Sequence, residues 1–478
     1  MSLLPDVSAS KLPLNPLASV DRALGCPQWP VNLQLRPYQE RAVTSWFEEN
    51  GRGTLKMATG SGKTITALAI AAKLYEKIGL QVLLVVCPYR HLVTQWDREC
   101  RRIHLEPILA FESARQWQGE FARQLYRVRS NTQSFLTVIT TNATLTSEPF
   151  QSPLRHLPTK TLIVGDEAHN LGAPRLTESL PRHVGLRLGL SATPERYFDE
   201  GGTDALFDYF GAVLQPELTL GDAIRAGALS RYAYYPIFVN LTEGESRRYA
   251  NLTHRIGWAL ANQDGVPHRY HERESEDLTA LLVRRSRLIG TASNKIAALR
   301  ELMRDRLHTS HTLFYCSDGI DPETETPQIE VVVRMLGSEL GYRVNTYTAE
   351  TSVAQREQLR VQFESGQLQG LAAIRCLDEG VDVPAIQTAV ILASSRNPRQ
   401  FVQRRGRILR PYPGKERATL FDTIVLPPQL DRNTWDVERN LLKRELQRFV
   451  EFADLADNAA EARMKLLGLQ KKYGLLDI

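Results

Sequence analysis

Short apolar segments that alternate with helix-length segments are the feature that most restricts how this chain of 478 residues can fold. Each segment is rich in strand-forming residues and bounded by polar ones, as buried parallel strands are. They form two groups, one before about residue 215 and one after about residue 300. Strands that alternate with helices predict an α/β fold. The segments are residues 82–86, 136–140, 162–164, 184–190, 311–315, 371–374 and 388–392.

The stretches around these two groups suggest the domain organisation. Residues 221–233 and the strand-like run 234–240 predict a junction, followed by a charged, helix-compatible stretch from residue 243 to about 306. The start of the chain is interrupted by prolines, and residues 435–472 contain few helix breakers. We expect an N-terminal arm, a first domain, a second domain with a helical lead-in, and a C-terminal helical segment. Their boundaries are residues 1–33, 34–220, 221–430 and 431–478.

Composition excludes several classes of protein. Lys and Arg number 59 against 54 Asp and Glu, and this net charge of +5 implies that any basic site is local. The longest apolar, uncharged stretch, residues 78–89, is shorter than the roughly 20 residues that span a bilayer. Five scattered cysteines without a Cys-x-x-Cys pair predict neither a disulfide framework nor a zinc site. We expect a cytoplasmic protein with no membrane segment.

A glycine-containing turn is the sharpest chemical signal. Residues 57–64 read MATGSGKT, after a strand-like run and before a helix-compatible one. Backbone N–H groups and the helix dipole at such a turn favour phosphate. Lys63 would reach the β- and γ-phosphates of ATP, and the Thr64 hydroxyl would bind Mg²⁺. Glycine is usual where Met57 stands, so a plain glycine-rich turn is the alternative. The candidate nucleotide-binding residues in this segment are Thr59, Gly60, Ser61, Gly62, Lys63 and Thr64.

Two adjacent carboxylates follow the apolar segment at residues 162–164, within the sequence GDEAH. A carboxylate at the end of a strand can bind Mg²⁺, and a second one can activate an attacking water. We predict that Asp166 binds the Mg²⁺ ion and that Glu167 activates the attacking water. A solvated turn is the alternative. The position of the pair, about a hundred residues after the glycine-containing turn, favours a nucleotide-hydrolysis site.

With these segments the chain resembles the superfamily 2 helicases and translocases of the DEAH-box type, over roughly residues 34 to 426. That family tolerates the variation at Met57. The resemblance implies two RecA-like domains with ATP bound between them. Further segments occur in the family's order, namely LRPYQ at residues 35–39, CP at 87–88, QW at 95–96, TTN at 140–142, SAT at 191–193, DEGVDVP at 378–384 and QRRGRILR at 403–410.

The resemblance also implies roles for individual residues. Gln39 would contact adenine, and Arg36 precedes it in the same nucleotide-binding segment. The segments at 87–88, 95–96 and 140–142 would follow a nucleic-acid backbone, and the SAT segment would couple hydrolysis to domain motion. Asp382 would contact nucleotide within a segment that also touches nucleic acid. Arg407 and Arg410 would act as arginine fingers on the phosphates, whereas Arg404 and Arg405 do not match those positions.

The density of arginines near the last segment agrees with that assignment. Six arginines lie between Arg396 and Arg410. An arginine fork pairs with phosphate through two hydrogen bonds and can neutralise charge in the transition state. A solvated basic face is the alternative for these residues.

The first functional hypothesis is therefore an ATP-dependent translocase or helicase that grips phosphates without regard to sequence. DNA is favoured over RNA because the segments at 35–39 and 403–410 resemble the repair and restriction branches of the family. The alternatives are an RNA helicase and an ATP-gated nucleic-acid-binding scaffold that recruits a partner nuclease. A role with other repair or antiphage defence subunits is compatible with these hypotheses.

Overall fold

The computed structural model describes residues 25–196, 199–263, 278–320, 325–348, 350–374, 383–393, 405–428 and 435–478. The chain divides into two compact units between Ala228 and Leu229, a little beyond the predicted boundary at residue 220. Each unit contains its own six-stranded parallel sheet. Within the part of the chain just given, no helix is both long and apolar enough to cross a membrane.

The sheet of the first unit has the strand order β1-β6-β5-β2-β4-β3, and all neighbouring strands are parallel. Its strands are β1 Arg52–Lys56, β2 Val82–Cys87, β3 Ile108–Ala110, β4 Leu136–Thr141, β5 Thr161–Asp166 and β6 Leu186–Ser191. Strands β2, β4, β5 and β6 are buried at every position, which explains the unbroken apolar sequence of β2 and the apolar middle of β5. Because the strands are parallel, the carboxyl ends of β1, β6 and β5 lie side by side.

Helices flank this sheet and complete its core. The helices are α1 Pro37–Glu48, α2 Lys63–Ile78, α3 Arg90–Arg102, α4 Ala114–Arg129, α5 Asn142–Leu145, α6 Glu148–Leu154, α7 Pro174–Ser179, α8 Glu200–Phe210 and α9 Leu220–Arg225. Apolar residues of α4, among them Trp117 and Phe121, pack with Phe150 against the strands. The core therefore fills the layer between α4, α6 and the sheet.

The sheet of the second unit has the order β7-β12-β11-β8-β10-β9, again with parallel neighbours throughout. Its strands are β7 Arg231–Asn240, β8 Thr312–Tyr315, β9 Val344–Tyr347, β10 Gly370–Ala373, β11 Thr388–Ile391 and β12 Arg417–Leu426. The labelled helices of this unit are α10 Glu243–Gln263, α11 Leu278–Gly290, α12 Asn294–Arg304, α13 Gln328–Arg334, α14 Val353–Glu364, α15 Trp435–Asp454 and α16 Ala459–Lys472.

The C-terminal helices cover the edge strand β7. Asn458, between α15 and α16, receives a hydrogen bond from the Tyr234 backbone N–H at 2.8 Å and donates one to the Tyr234 carbonyl oxygen at 3.0 Å. The Asp457 N–H donates to the Tyr232 carbonyl oxygen at 2.8 Å. An open strand edge can pair with other chains, and these bonds occupy part of it. Residues 435–478 thus pack as part of the second unit.

The predicted α/β fold is confirmed, and every predicted apolar segment contains a strand. Five strands lie outside those segments, namely β1, β3, β7, β9 and β12, although β1 coincides with the strand-like run before the glycine-containing turn and β7 includes the strand-like run 234–240. β3 and β9 are edge strands of three and four residues, and β12 is interrupted by Asp422 and Thr423, so none shows a long apolar run. The run 234–240, predicted to be strand-like, lies in β7, which pairs with β12 along its whole length. The division between Ala228 and Leu229 falls within residues 221–233, the first part of the predicted junction.

A buried ionic cluster joins three helices of the second unit. Arg285 on α11 and Glu438 on α15 are both fully buried, and their side chains approach to 3.2 Å. The Tyr249 hydroxyl on α10 donates to Glu438 Oε1 at 2.5 Å, and Glu445 lies 3.2 Å from Arg285. A buried charge that loses its partner is costly, so this cluster ties α15 to the helical lead-in.

Substitution of Glu438 by Ala should destabilise the second unit by about 3 kcal/mol, because it leaves Arg285 buried with only part of its compensating charge. The control is Glu243→Ala, which removes an exposed partner of Arg247 and should cost less than about 1 kcal/mol. Urea unfolding of the full chain checks the difference. Equal losses for the two variants would contradict the cluster's structural role.

Candidate active site

The predicted phosphate-binding loop connects β1 to α2 at the carboxyl edge of the first sheet. Gly60 and Gly62 have φ angles of 85° and 91°, in the left-handed region that favours glycine. Gly62 is the N-cap of α2, which begins at Lys63. A Cβ atom on Gly62 would lie 2.7 Å from Gln39 Nε2, so a side chain there would force the Gln39 amide away from the Gly62 carbonyl oxygen that it binds. The loop therefore brings its backbone close around the start of a long helix, a geometry suited to phosphate.

Polar side chains line this loop. Lys63 is buried, and its Nζ atom donates to the Met57 carbonyl oxygen at 3.0 Å. The Ser61 hydroxyl donates to the Ala58 carbonyl oxygen at 2.6 Å. The buried Thr59 Oγ1 atom has no hydrogen-bond partner within the described part of the chain. Thr64 is partly exposed at the start of α2.

Helix α1 supports the loop through its first residues. The Tyr38 hydroxyl donates to the Ser61 carbonyl oxygen at 2.6 Å, and Gln39 Nε2 donates to the Gly62 carbonyl oxygen at 3.2 Å. Gln39 Oε1 accepts the backbone N–H of Arg36 at 2.9 Å. Arg36 and Gln39 thus lie beside the loop, while their predicted contacts with nucleotide stay predictions. Tyr38 had no role in the sequence-based interpretation, although it lies within the segment at 35–39.

The two adjacent carboxylates follow β5, the second neighbour of β1 in the sheet. Asp166 is buried; its Oδ1 atom accepts the Glu167 N–H at 3.0 Å and its Oδ2 atom accepts the Trp96 indole N–H at 2.8 Å. Burial raises the pKa of Asp166, and the neighbouring charge of Glu167 adds to this effect, while Lys63 opposes it. A cation near Asp166 would favour the charged carboxylate in the same way as Lys63.

Glu167 has an unusual backbone conformation. Its φ of 43° and ψ of 52° lie in the left-handed region, which costs a non-glycine residue about 1–2 kcal/mol. Its Oε2 atom is buried, lies 3.6 Å from His169 Nδ1 and has no hydrogen-bond partner within the described residues. Strain of this kind often occurs where a side chain is held for a task.

The SAT segment at the end of β6 contacts the same turn. The Ser191 hydroxyl lies 3.1 Å from His169 Nδ1 and accepts the Thr193 N–H at 3.1 Å. Arg196 donates to the His169 carbonyl oxygen. A rearrangement of the carboxylate turn would therefore displace the SAT segment.

The predicted arginine fingers lie in the second unit. The described part of their segment begins at Arg405, is helical over residues 405–408, and includes Arg407 and Arg410 as partly buried residues. Arg405 is almost fully buried: it forms an ion pair with Glu451 at 2.6 Å, and its guanidinium lies 4.2 Å from the centre of the Phe452 ring. Arg405 thus binds the segment to α15. Arg404 and Asp382 lie outside the described residues.

Three tryptophans of the helices differ in how far they are exposed. Trp96 and Trp117 are buried, whereas Trp258 on α10 is 61% exposed. The ring of Trp96 is therefore packed in the core and does not present a face for stacking on bases. The spacing of Leu92, Trp96 and Cys100 on α3 is the pattern of a buried helix face, which could have indicated this.

Taken together, the first unit brings Lys63 and Thr64, which follow β1, and Asp166 and Glu167, at the end of β5, to the carboxyl edge of one sheet, where only β6 lies between the two strands. A glycine-containing loop at a helix start and paired carboxylates on a parallel sheet define a P-loop nucleoside triphosphatase. The second unit has a sheet of the same size and also all parallel.

Comparison with known protein families agrees with this class. Residues 32–196 match the family model for "Type III restriction enzyme, res subunit", and residues 294–412 match that for "Helicase conserved C-terminal domain". The chain is 27% identical over 413 residues to "DNA 3'-5' translocase XPB2" of Sulfurisphaera tokodaii, with 82% of each protein covered. It is 30% identical over 390 residues to "Putative DNA 3'-5' helicase Rad25" of Halobacterium salinarum, with 80% of this chain and 53% of that protein covered. The chain thus spans about half of this second relative.

Solved structures share the fold. The helicase domain of Hef from Pyrococcus furiosus has a TM-score of 0.52 and 17% identity, with 82% of this chain and 96% of that one covered. The ATP-dependent Type ISP restriction-modification enzyme LlaBIII bound to DNA has a TM-score of 0.57 and 18% identity, with 89% of this chain and 30% of that one covered. The chain belongs to the superfamily 2 helicases and has two RecA-like domains. It is a nucleic-acid-dependent ATPase, so the predicted family and enzyme class are confirmed.

Proposed function

We propose that the protein is an ATP-driven DNA translocase or helicase. The observation that carries this proposal is the convergence of Lys63, Asp166 and Glu167 at the strand ends of the first unit, in a chain whose second unit matches a helicase C-terminal domain. The relatives named as DNA 3'-5' translocase and helicase support DNA as the substrate.

ATP would bind at the loop between β1 and α2. Backbone N–H groups around Gly60 and Gly62 would contact the phosphates, together with the side chains of Thr59, Ser61 and Lys63. Lys63 would exchange its bond to the Met57 carbonyl for the β- and γ-phosphates. Gln39 and Arg36 would contact the adenine side of the nucleotide.

The residues beside this loop could also bind a Mg²⁺ ion. Thr64 offers a hydroxyl oxygen and Asp166 a carboxylate, the hard oxygen ligands that Mg²⁺ prefers alongside phosphates and waters. The raised pKa of Asp166 reflects a buried carboxylate that a cation would stabilise. The ion would supply charge neutralisation on the phosphates.

Hydrolysis would depend on residues of both units. Glu167 would orient the attacking water and accept its proton, since its Oε2 atom is buried and accepts no hydrogen bond within the described residues. Arg407 and Arg410 would stabilise the charge that develops as the γ-phosphoryl group leaves. Asp382 would contribute a further nucleotide contact.

A strand-displacement assay tests this proposal and its alternatives. ATP should drive release of a labelled strand from a DNA duplex with a single-stranded tail, more rapidly than from the matching RNA duplex. Faster release from RNA would favour the RNA helicase. A protein that binds DNA in an ATP-dependent way but neither moves on it nor displaces a strand would favour the scaffold that recruits a nuclease or another defence or repair subunit.

A further inference from the structure

Trp96 donates a hydrogen bond to a carboxylate rather than to a backbone carbonyl. Its ring is 1% exposed, on the buried face of α3, and its Nε1 atom lies 2.8 Å from Asp166 Oδ2. Trp46 shows the more ordinary arrangement: it is also fully buried, but its Nε1 atom donates to the Arg187 carbonyl oxygen at 3.0 Å. Arg187 lies near the amino end of β6, at the opposite edge of the sheet from the candidate active site.

The hydrogen bond from Trp96 gives the Asp166 carboxylate its second donor from the protein. The Glu167 N–H binds Oδ1 and the Trp96 indole N–H binds Oδ2, so both oxygens of a single carboxylate have a donor from the protein. Each carboxylate oxygen can accept two hydrogen bonds, which leaves capacity for a cation or its waters. Two donors on different segments restrict the rotation of the carboxylate plane.

Packing alone does not explain a tryptophan at this position. Its apolar neighbours on α3, Leu92, Val93 and Cys100, are buried on the same face. A phenylalanine could fill much of the same space, but it could not donate to Asp166. Residues that orient a metal-binding side chain typically change metal affinity or activity by about 10- to 100-fold when they are substituted.

We propose that Trp96 is a positioning residue whose indole N–H holds Asp166 in the orientation that binds the magnesium ion of Mg·ATP. This inference rests on the proposed function, because it takes Asp166 as the metal-side carboxylate. It also gives α3, the helix after the CP segment, a direct connection to the nucleotide site.

The test compares Trp96→Phe with Trp46→Phe, since both variants lose a buried indole N–H bond. ADP binding to the full chain is measured by calorimetry with and without Mg²⁺. With Mg²⁺ present, Trp96→Phe should bind ADP about tenfold more weakly than the wild type does. Without Mg²⁺, the two proteins should bind ADP equally well. Trp96→Phe should also need about tenfold more Mg²⁺ for half-maximal ATP turnover, with most of kcat recovered at saturation. Trp46→Phe should match the wild type in both, and equal behaviour of the two variants would overturn the inference.

Asp166→Asn separates failure of this inference from failure of the proposed function. If Asp166→Asn loses the Mg²⁺ effect while Trp96→Phe keeps it, only the role of Trp96 is wrong. If Asp166→Asn also keeps the effect, Asp166 is not the metal-side carboxylate, and both the proposed site and the inference are wrong.

An NMR measurement on the wild type covers the case in which Trp96→Phe does not fold. The chain has 6 tryptophans, and each ¹⁵N-labelled indole resonance can be assigned from the other Trp→Phe variants by elimination. Addition of Mg²⁺ at constant ADP should shift the Trp96 indole resonance and leave the Trp46 resonance in place. An unmoved Trp96 resonance would overturn the inference.

Discussion

Replacement of Glu167 by Gln should leave nucleotide binding intact while ATP turnover falls by about 10²- to 10⁴-fold. The amide keeps the size of the side chain but cannot accept a proton from the attacking water. The variant should therefore accumulate in its ATP-bound form and keep a persistent grip on DNA. Fluorescence titration with a labelled ATP analogue, together with DNA dissociation rates in the presence of ATP, measures both effects.

Lys63→Ala is the matched contrast, because it removes the point charge that would hold the phosphates. It should lose both ATP binding and turnover, without a persistent DNA complex. If Glu167→Gln fails to bind ATP in the way Lys63→Ala does, the assignment of Glu167 as the base is wrong. A wild-type rate for Lys63→Ala would show that this loop is not the working site.

Replacement of Arg407 by Ala should reduce DNA-stimulated turnover by about 10³- to 10⁵-fold, with a modest change in ATP affinity. An arginine finger acts on charge that develops as the γ-phosphoryl group departs, so its loss affects the transition state more than the ground state. Steady-state kinetics should show a fall in kcat with little change in KM. Unimpaired stimulated turnover would mean that the second domain does not complete the site.

Arg405→Ala is the control for the alignment of this segment. Arg405 is 1% exposed and bound to Glu451 and Phe452, so its loss should lower stability by about 2 kcal/mol through lost packing and cation–π contact. Below the unfolding transition, its turnover should fall much less than that of Arg407→Ala. If Arg405→Ala reduces turnover as strongly as Arg407→Ala, the assignment of the finger positions is wrong.

The sequence predicts the fold where burial is complete. Strands such as β2 and β5 are buried on both faces, so their sequences are continuous apolar runs. The same reasoning fails for β9, a half-exposed edge strand, and for β12, where Asp422 interrupts the run. The sequence predicts a strand-like run at 234–240 but not its pairing with β12, because pairing with a strand far along the chain leaves no local signal.

The candidate site shows a similar division. The chemical groups of residues 57–64 and of residues 165–169 lie close together in the sequence, in patterns typical of nucleotide hydrolysis. Lys63, Asp166 and Glu167 could therefore be named from the sequence. The contact of Trp96 with Asp166 joins residues of two strand-helix units, and only the packing of α3 on the sheet brings them together. The burial of Arg405 depends in the same way on α15, about forty residues further along the chain.

The central claim, that ATP hydrolysis serves movement on DNA, is tested most directly by steady-state ATP turnover of the full chain with and without nucleic acid. Single-stranded DNA, double-stranded DNA and RNA of equal length are added in separate titrations at constant Mg·ATP. The account predicts low turnover alone, strong stimulation by DNA, and loss of that stimulation as salt rises, because the contacts are to phosphates. Turnover that is the same with every nucleic acid and with none would contradict it.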